Sequence, residues 1–337
     1  MAAEAMSKKT WSILLVYAEG AEKSMREEVQ QARQGVGVSY NQFLAVSSFV
    51  IFLFHGVVPA RRHIVRNYIN KHIVVDRFVA ILRGLLEQGN PISLSDVVAA
   101  GRGERELPER SFIITFDDGF ANNFTVAAPI LNDLKVPAAF FITTSFVDEN
   151  KASWIDRVEQ AVESVTSFQV ELPDYGLAGR FATDAQKIEL LKQIRQAIFG
   201  RTDIDPYDFA EKFASHIGAK QFEADKDLDW KLNWPQVKSL SGNDLFSIGG
   251  HSHTHPVLEH LKDEELAGEI GKSMVMLKDN AGVEVKYYSY PQGLSWCYSD
   301  RVIKVLKRYG IVCCPTAEAG INRVGDDLFR LKRIMVT

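Results

Sequence analysis

SFIITFDDG, residues 111–119, sets a run of strand-forming residues directly against a sharp polar turn. Phe112 to Phe116 are aromatic or β-branched and carry no charge, the texture of a strand buried on both faces. The same texture recurs outward along the chain, in SFVIFLF (48–54), AAFFITTSF (138–146), LFSIGGHS (245–252), VKYYSYP (285–291) and GIVCCPT (310–316). Helical patterns lie between these runs, at 76–88, 126–134, 263–280 and 300–309. The last carries Lys307 and Arg308 in its final turn and Gly310 at its stop, as a helix C-terminus favours. Alternating strand and helix predicts parallel strands joined by crossovers, hence an α/β sheet or barrel.

With 337 residues the chain can bury a large single core, since α/β barrels exceed the usual domain length of roughly 100–200 residues. Apolar residues at 46% and charged residues at 24% are ordinary globular composition and exclude general disorder. A net charge of −4 and a pI near 6.1 give no electrostatic footprint for nucleic acid or an anionic membrane. Cys297, Cys313 and Cys314 cannot form a disulfide framework and fit a reducing compartment. Residues 8–17 (KKTWSILLVY) have a basic start but too short an apolar run for an export signal, and Met6 is a possible natural start. Residues 43–54 are broken by Ser47 and Ser48 and fall short of the roughly 20 residues that span a bilayer. The expectation is a cytoplasmic protein without a membrane span, divided into an N-terminal extension (1–42) and one main domain (43–337). From about 148 to 234 the strand signal lapses and ASWIDRVEQAVESV, DAQKIELLKQIRQAIF and DPYDFAEKFASHIGA read as successive helices. This predicts a helical insertion, acting either as a lid over the site or as packing decoration.

In parallel α/β folds, chemistry collects at the carboxyl ends of strands. There the sequence places Asp117-Asp118-Gly119 and His251-Ser252-His253-Thr254-His255. An Asp-Asp-Gly is also an ordinary turn, but three histidines in five residues are unusual for a solvated loop, and imidazole is the commonest metal ligand. His251 and His255 converge on one ion if the chain turns helically, whereas His251 and His253 converge if it stays extended. One aspartate with two histidines makes an O/N/N site suited to Zn²⁺, with Co²⁺, Ni²⁺ or Fe²⁺ possible. A second carboxylate beside such an ion suits the base that deprotonates an attacking water.

Thr115-Phe116-Asp117-Asp118-Gly119, followed by His251-Ser252-x-x-His255, resembles the polysaccharide deacetylase family (carbohydrate esterase family 4, the NodB-homology domain). The phrases FFITTSF, NWPQVKSL and HPVLEHL extend the resemblance over roughly 48–336. It implies a distorted (β/α) barrel of the deacetylase type, here with a helical insertion, that removes acetyl groups from sugars with one divalent metal. It also implies that Asp118, His251 and His255 are the ligands and Asp117 the general base. Tyr288-Ser289-Tyr290-Pro291-Gln292-Gly293 resembles the third motif, whose backbone N–H after the proline helps hold the oxyanion, a role falling to Gln292. That motif usually carries an arginine bracing the catalytic aspartate, and Ser289 stands in its place. The brace passes to Arg333 unless Arg333 is a surface residue. The late Leu-x-Ile-His motif that supplies the general acid is also absent. Phe54-His55-Gly56-Val57 resembles the branch with that histidine near the N-terminus, making His55 the acid unless it is a core histidine. His253 should point away from the ion, and Trp154 and Trp296 either stack on a sugar or belong to the core.

The expected activity is hydrolysis of an acetylated sugar or polysaccharide, N-acetylated rather than O-acetylated. Hydrolysis of a formamido sugar, cyclic imide or ureide would use the same groups. A silent glycan-binding module would have no use for the base. An iron oxygenase would place its carboxylate close to the first histidine, not 133 positions earlier. Oligomeric state is not legible in the sequence.

Overall fold

The computed structural model describes residues 40–199 and 201–337. The first half of the chain runs β1 (Phe49–Phe54), β2 (Gly56–Val58), β3 (His72–Val74), α1 (Val75–Gln88), β4 (Asn90–Pro91), α2 (Leu94–Gly101), β5 (Ser111–Phe116), α3 (Ala128–Asp133), β6 (Ala138–Ile142) and α4 (Thr144–Glu149). There follow α5 (Trp154–Ser164), β7 (Phe168–Leu172), β8 (Leu177–Phe181), α6 (Asp184–Ile198), α7 (Pro206–His216), α8 (Trp234–Ser241), β9 (Phe246–Gly250), α9 (Asp263–Ala281), α10 (Asp300–Arg308) and β10 (Ile334–Met335). Residues Phe43–Thr337 form one compact unit. The apolar run at 8–17 lies outside the described residues.

The central wall is a parallel sheet in the order β10-β1-β5-β6-β9, with β4 pairing β5. β1 and β5 are buried at every position, which is why both read as unbroken apolar runs. Phe54, Phe116 and Phe140 stack in a row across three neighbouring strands, with centroids 5.4 and 5.1 Å apart. Beyond β9 the wall becomes irregular. The runs at 285–291 and 310–316, expected as strands, form only isolated bridges, Gly250 with Tyr288 and Tyr287 with Cys313. Hydrogen bonds still carry the wall round, from Gly250 N to Tyr287 O, Tyr288 N to Cys313 O, Thr316 N to Leu331 O and Val336 N to Leu53 O. The circuit returns to β1 as a distorted barrel. Pro291 cannot donate to a ladder and Gln292 has φ 62°, so this stretch breaks regular pairing.

The insertion is not purely helical. Between α5 and α6 it contains the antiparallel hairpin β7–β8, pairing Phe168 with Phe181 and Leu172 with Leu177. Phe168 and Val170 face inward while Gln169 and Glu171 face water, a period of two that a search for continuous apolar strands overlooks. Gly176 (φ 67°) makes the turn. The insertion has its own core, in which Val158, Val162, Leu190, Leu191, Ile194 and Phe213 are buried together. Val65 and Tyr68, from the chain after β2, pack into the same core. All three cysteines are buried thiols. Among the described residues no helix is long and apolar enough to cross a membrane.

Candidate active site

Asp117 leaves the end of β5 with its N–H bonded to Phe54 O (3.0 Å), so the first aspartate sits beside the end of β1. Asp118 then takes φ 74°, a left-handed conformation uncommon outside glycine, and both carboxylates approach His251 Nε2, at 3.9 Å from Asp117 Oδ2 and 3.5 Å from Asp118 Oδ1. Ser252, His255 and Gln292 also have positive φ, near 66, 66 and 62°. Non-glycine residues held this way cost energy and concentrate where geometry matters more than stability.

Asp117 is fixed from one side. Arg333, one residue before β10 and 1% exposed, gives it a two-pronged bond: Nη1 to Oδ1 and Nη2 to Oδ2, both 2.8 Å. Nη2 also donates to Ser289 Oγ (2.8 Å), and that hydroxyl donates to Asp117 Oδ2 (3.2 Å). Nε donates to Thr316 O. The serine at the family's arginine position thus serves as a bridge, and a guanidinium from the far end of the chain fills the space. Burial would raise the Asp117 carboxyl, but the Arg333 charge, His251 and the Arg333 hydrogen bonds outweigh it and hold Asp117 below its ordinary value. Of the roughly four acceptor positions on a carboxylate, three are occupied by these groups.

Asp118 faces the histidines. Its Oδ1 lies 3.5 Å from His251 Nε2 and 3.3 Å from His255 Nε2, and one ligand atom from each residue falls within 4.8 Å of the others. His251 Nδ1 donates to Ser289 O (2.8 Å), which leaves the Nε2 lone pair facing Asp118. The pairing of His251 with His255 does not come from a helical turn. The chain there is a loop bent by the positive φ of Ser252 and His255, with His255 N donating to Ser252 Oγ (2.9 Å). Ser252 N in turn donates to the buried Tyr288 hydroxyl (2.8 Å). His253 turns away to Thr144 Oγ1 (2.9 Å). Phe146 stacks on His255, centroids 5.8 Å apart. Burial pushes His251 down to about 4, so its imidazole is neutral and able to ligate at neutral pH. The donor set, one carboxylate and two imidazoles, fits a borderline divalent ion.

His55 follows β1, and its carbonyl accepts from Asn123 Nδ2 (2.8 Å). Burial lowers its pKa below 6.5, helped by Lys71 and Arg333 and opposed by Asp118 and Asp117. The N–H of Gln292 has no acceptor among the described residues. Trp154 packs against Phe199 at the edge of the insertion core, and Trp296 stacks on His260.

Sequence reasoning missed a buried charged layer next to this site. On α5, Asp156, Glu159 and Glu163 share one face. They receive Lys71 Nζ (2.5 Å), Asn67 N (2.9 Å), and Val65 N and Arg66 N (3.1 and 3.0 Å). The insertion therefore braces the chain leading away from His55. Lys231, paired by backbone with Phe120, buries its Nζ 3.4 Å from the Phe120 ring centroid and 3.8 Å from Asp156. No pattern in the sequence marks Lys231, because its partners lie far away along the chain.

The irregular wall of largely parallel strands, with a two-aspartate turn and a bent histidine loop at its carboxyl end, has the build of a distorted (β/α) barrel. The polysaccharide deacetylase family profile matches residues 104–202 and 212–314, and the chain belongs to that family. IcaB from Ammonifex degensii superposes with a TM-score of 0.56 at 18% identity, over 87% of this chain and 93% of that one. The Streptococcus pyogenes deacetylase PplD, solved with acetate, gives 0.55 at 15% identity over 87% and 93%. At these identities the likeness concerns the fold. A 65-residue segment is 38% identical to the poly-beta-1,6-N-acetyl-D-glucosamine N-deacetylase of Escherichia coli K12, covering 19% of this chain and 10% of that protein.

Proposed function

We propose that this protein hydrolyses the acetamido group of an N-acetylated saccharide, with one divalent cation, most simply Zn²⁺, held by Asp118, His251 and His255. The observation that carries the proposal is the juxtaposition of a three-residue donor set with a separate carboxylate, Asp117, locked by Arg333 and Ser289. When bound, the cation supplies Lewis acidity that favours a hydroxide-like nucleophile and polarises the acyl carbonyl. Asp117 keeps one acceptor position and accepts the proton of the attacking water. Its anchoring leaves little freedom to rotate, which suits a base that must meet a water in one orientation. The Gln292 N–H donates to the developing oxyanion. His55 gives its proton to the departing amine. A lowered carboxyl and a histidine held below 6.5 define a window in which base and acid are both in their working forms. The E. coli relative's named substrate makes a β-1,6-linked N-acetylglucosamine oligomer the first candidate. Acetate release from that oligomer, abolished by chelation and restored by Zn²⁺, tests the proposal. Metal-independent release, or none from any acetylated sugar in a panel, would overturn it.

A further inference from the structure

His55 occupies a one-residue break between β1 and β2. Two adjacent asparagines just beyond the Asp117–Asp118 turn hold the backbone around His55. Asn123 Nδ2 donates to His55 O (2.8 Å), and Val57 N donates to Asn122 Oδ1 (3.2 Å), so the two amides hold the chain on either side of Gly56. Gly56 itself has no room. A Cβ there would lie 2.0 Å from His72 Nδ1 and 2.7 Å from Asn122 Oδ1. Asn122 Nδ2 completes the joint by donating to His72 Nδ1 (2.9 Å) and Asp227 O (2.8 Å).

Asn123 is an expensive choice for packing alone. It is fully buried, and its Oδ1 has no donor among the described residues. A buried amide oxygen left unpaired is destabilising. Flipping the amide would not help, because Oδ1 would then confront the His55 carbonyl oxygen. Asn123 also begins a π-turn, Asn123–Ala127, ahead of α3, a local irregularity that aims side chains differently from a regular first turn.

We propose that Asn123, supported by Asn122, is a positioning residue that ties the His55 backbone to the Asp117–Asp118 turn, so that acid and base share one frame. This rests on the reading of His55 as the acid. The test compares Asn123→Leu, His55→Ala and the double variant, on an N-acetylated oligomer and on an activated aryl acetate that needs little leaving-group protonation. Asn123→Leu should retain its metal and a near-normal Tm. Its amide kcat should fall about 10- to 100-fold at unchanged KM, with much less loss on the ester. The double variant should be no slower on the amide than His55→Ala alone, because removing the acid removes what Asn123 positions. Multiplicative losses in the double variant, or equal loss on both substrates, would overturn the positioning role. If His55→Ala is itself unselective between amide and ester, the acid reading falls first, whatever Asn123 does. Should Asn123→Leu fail to fold, Gly56→Ala presses on the same joint from the other side. It must reproduce the amide-selective loss, and full amide activity there would overturn the proposal.

Discussion

Replacing Arg333 with methionine removes the guanidinium and keeps a long apolar stem. Arg333 makes two bonds to Asp117, one to Ser289 Oγ and one to Thr316 O, all inside the core. Breaking a buried pair by deleting one partner costs about 3–5 kcal/mol, since the remaining carboxylate stays desolvated. Asp117 now sits below its ordinary 3.8, so it contributes stability above that pH, and the contribution is lost as pH falls through the folded value. Without Arg333, burial is opposed only by the histidines and the Ser289 hydrogen bond, and the carboxyl must move up. Urea denaturation at pH 7 should show the loss. In kcat/KM against pH, the acidic limb should shift to higher pH, because the base is protonated sooner. Metal content should stay near one per chain, as Arg333 touches no ligand side chain. A stability loss below about 1 kcal/mol, the range of an exposed pair, with an unmoved acidic limb, would refute the brace.

Three further outcomes are expected. His251→Ala should lose most bound metal, whereas His253→Ala, bonded to Thr144 instead, should keep it; metal analysis of both decides, and the reverse pattern would restore the extended His-x-His arrangement. In kcat/KM the alkaline limb should lie below pH 6.5 and disappear in His55→Ala, since burial lowers that histidine and the acid works only protonated; a limb unchanged in the variant assigns it elsewhere. Burial pushes Lys231 from 10.5 down to about 8, so below pH 8 the folded chain carries a charge that costs about 3 kcal/mol relative to a neutral side chain. The unfolded chain holds that proton more tightly, so the penalty fades as pH rises from 8 to 10.5. Lys231→Met should therefore be more stable at pH 7 by up to about 3 kcal/mol and equal by pH 10.5; a destabilised variant at pH 7 would mean the ammonium is well paired.

The strands that could be read from the sequence are those buried on both faces. β1, β5, β6 and β9 are uncharged and largely apolar, and the ends of β5 and β9 point directly to Asp117, Asp118 and His251. The same texture misled at 285–291 and 310–316, where Tyr288 and Ser289 are engaged by the histidine loop and Asp117 and the pairing is reduced to single bridges. β7 was hidden by its alternation with the polar residues Gln169 and Glu171. Within the site, residue chemistry exposed the ligands, but the bend that brings His255 to His251 depends on two positive φ angles that no spacing reveals. Arg333 could be named only through the missing arginine of the third motif, because 216 residues separate it from Asp117. Asn123 and Lys231 carry no local signal at all; their roles exist only after the chain has closed on itself.

The central claim is that the two adjacent aspartates have different tasks, and metal titration combined with acetate release on Asp117→Asn and Asp118→Asn tests it most directly. Asp117→Asn should bind one Zn²⁺ with near-normal affinity and melt as a folded protein, while acetate release falls about 10²- to 10⁴-fold. Asp118→Asn should lose affinity for the ion itself, with activity partly restored at high Zn²⁺ concentration. Equal metal loss in both variants, or an Asp117→Asn enzyme that still turns over at close to the parent rate, would contradict it.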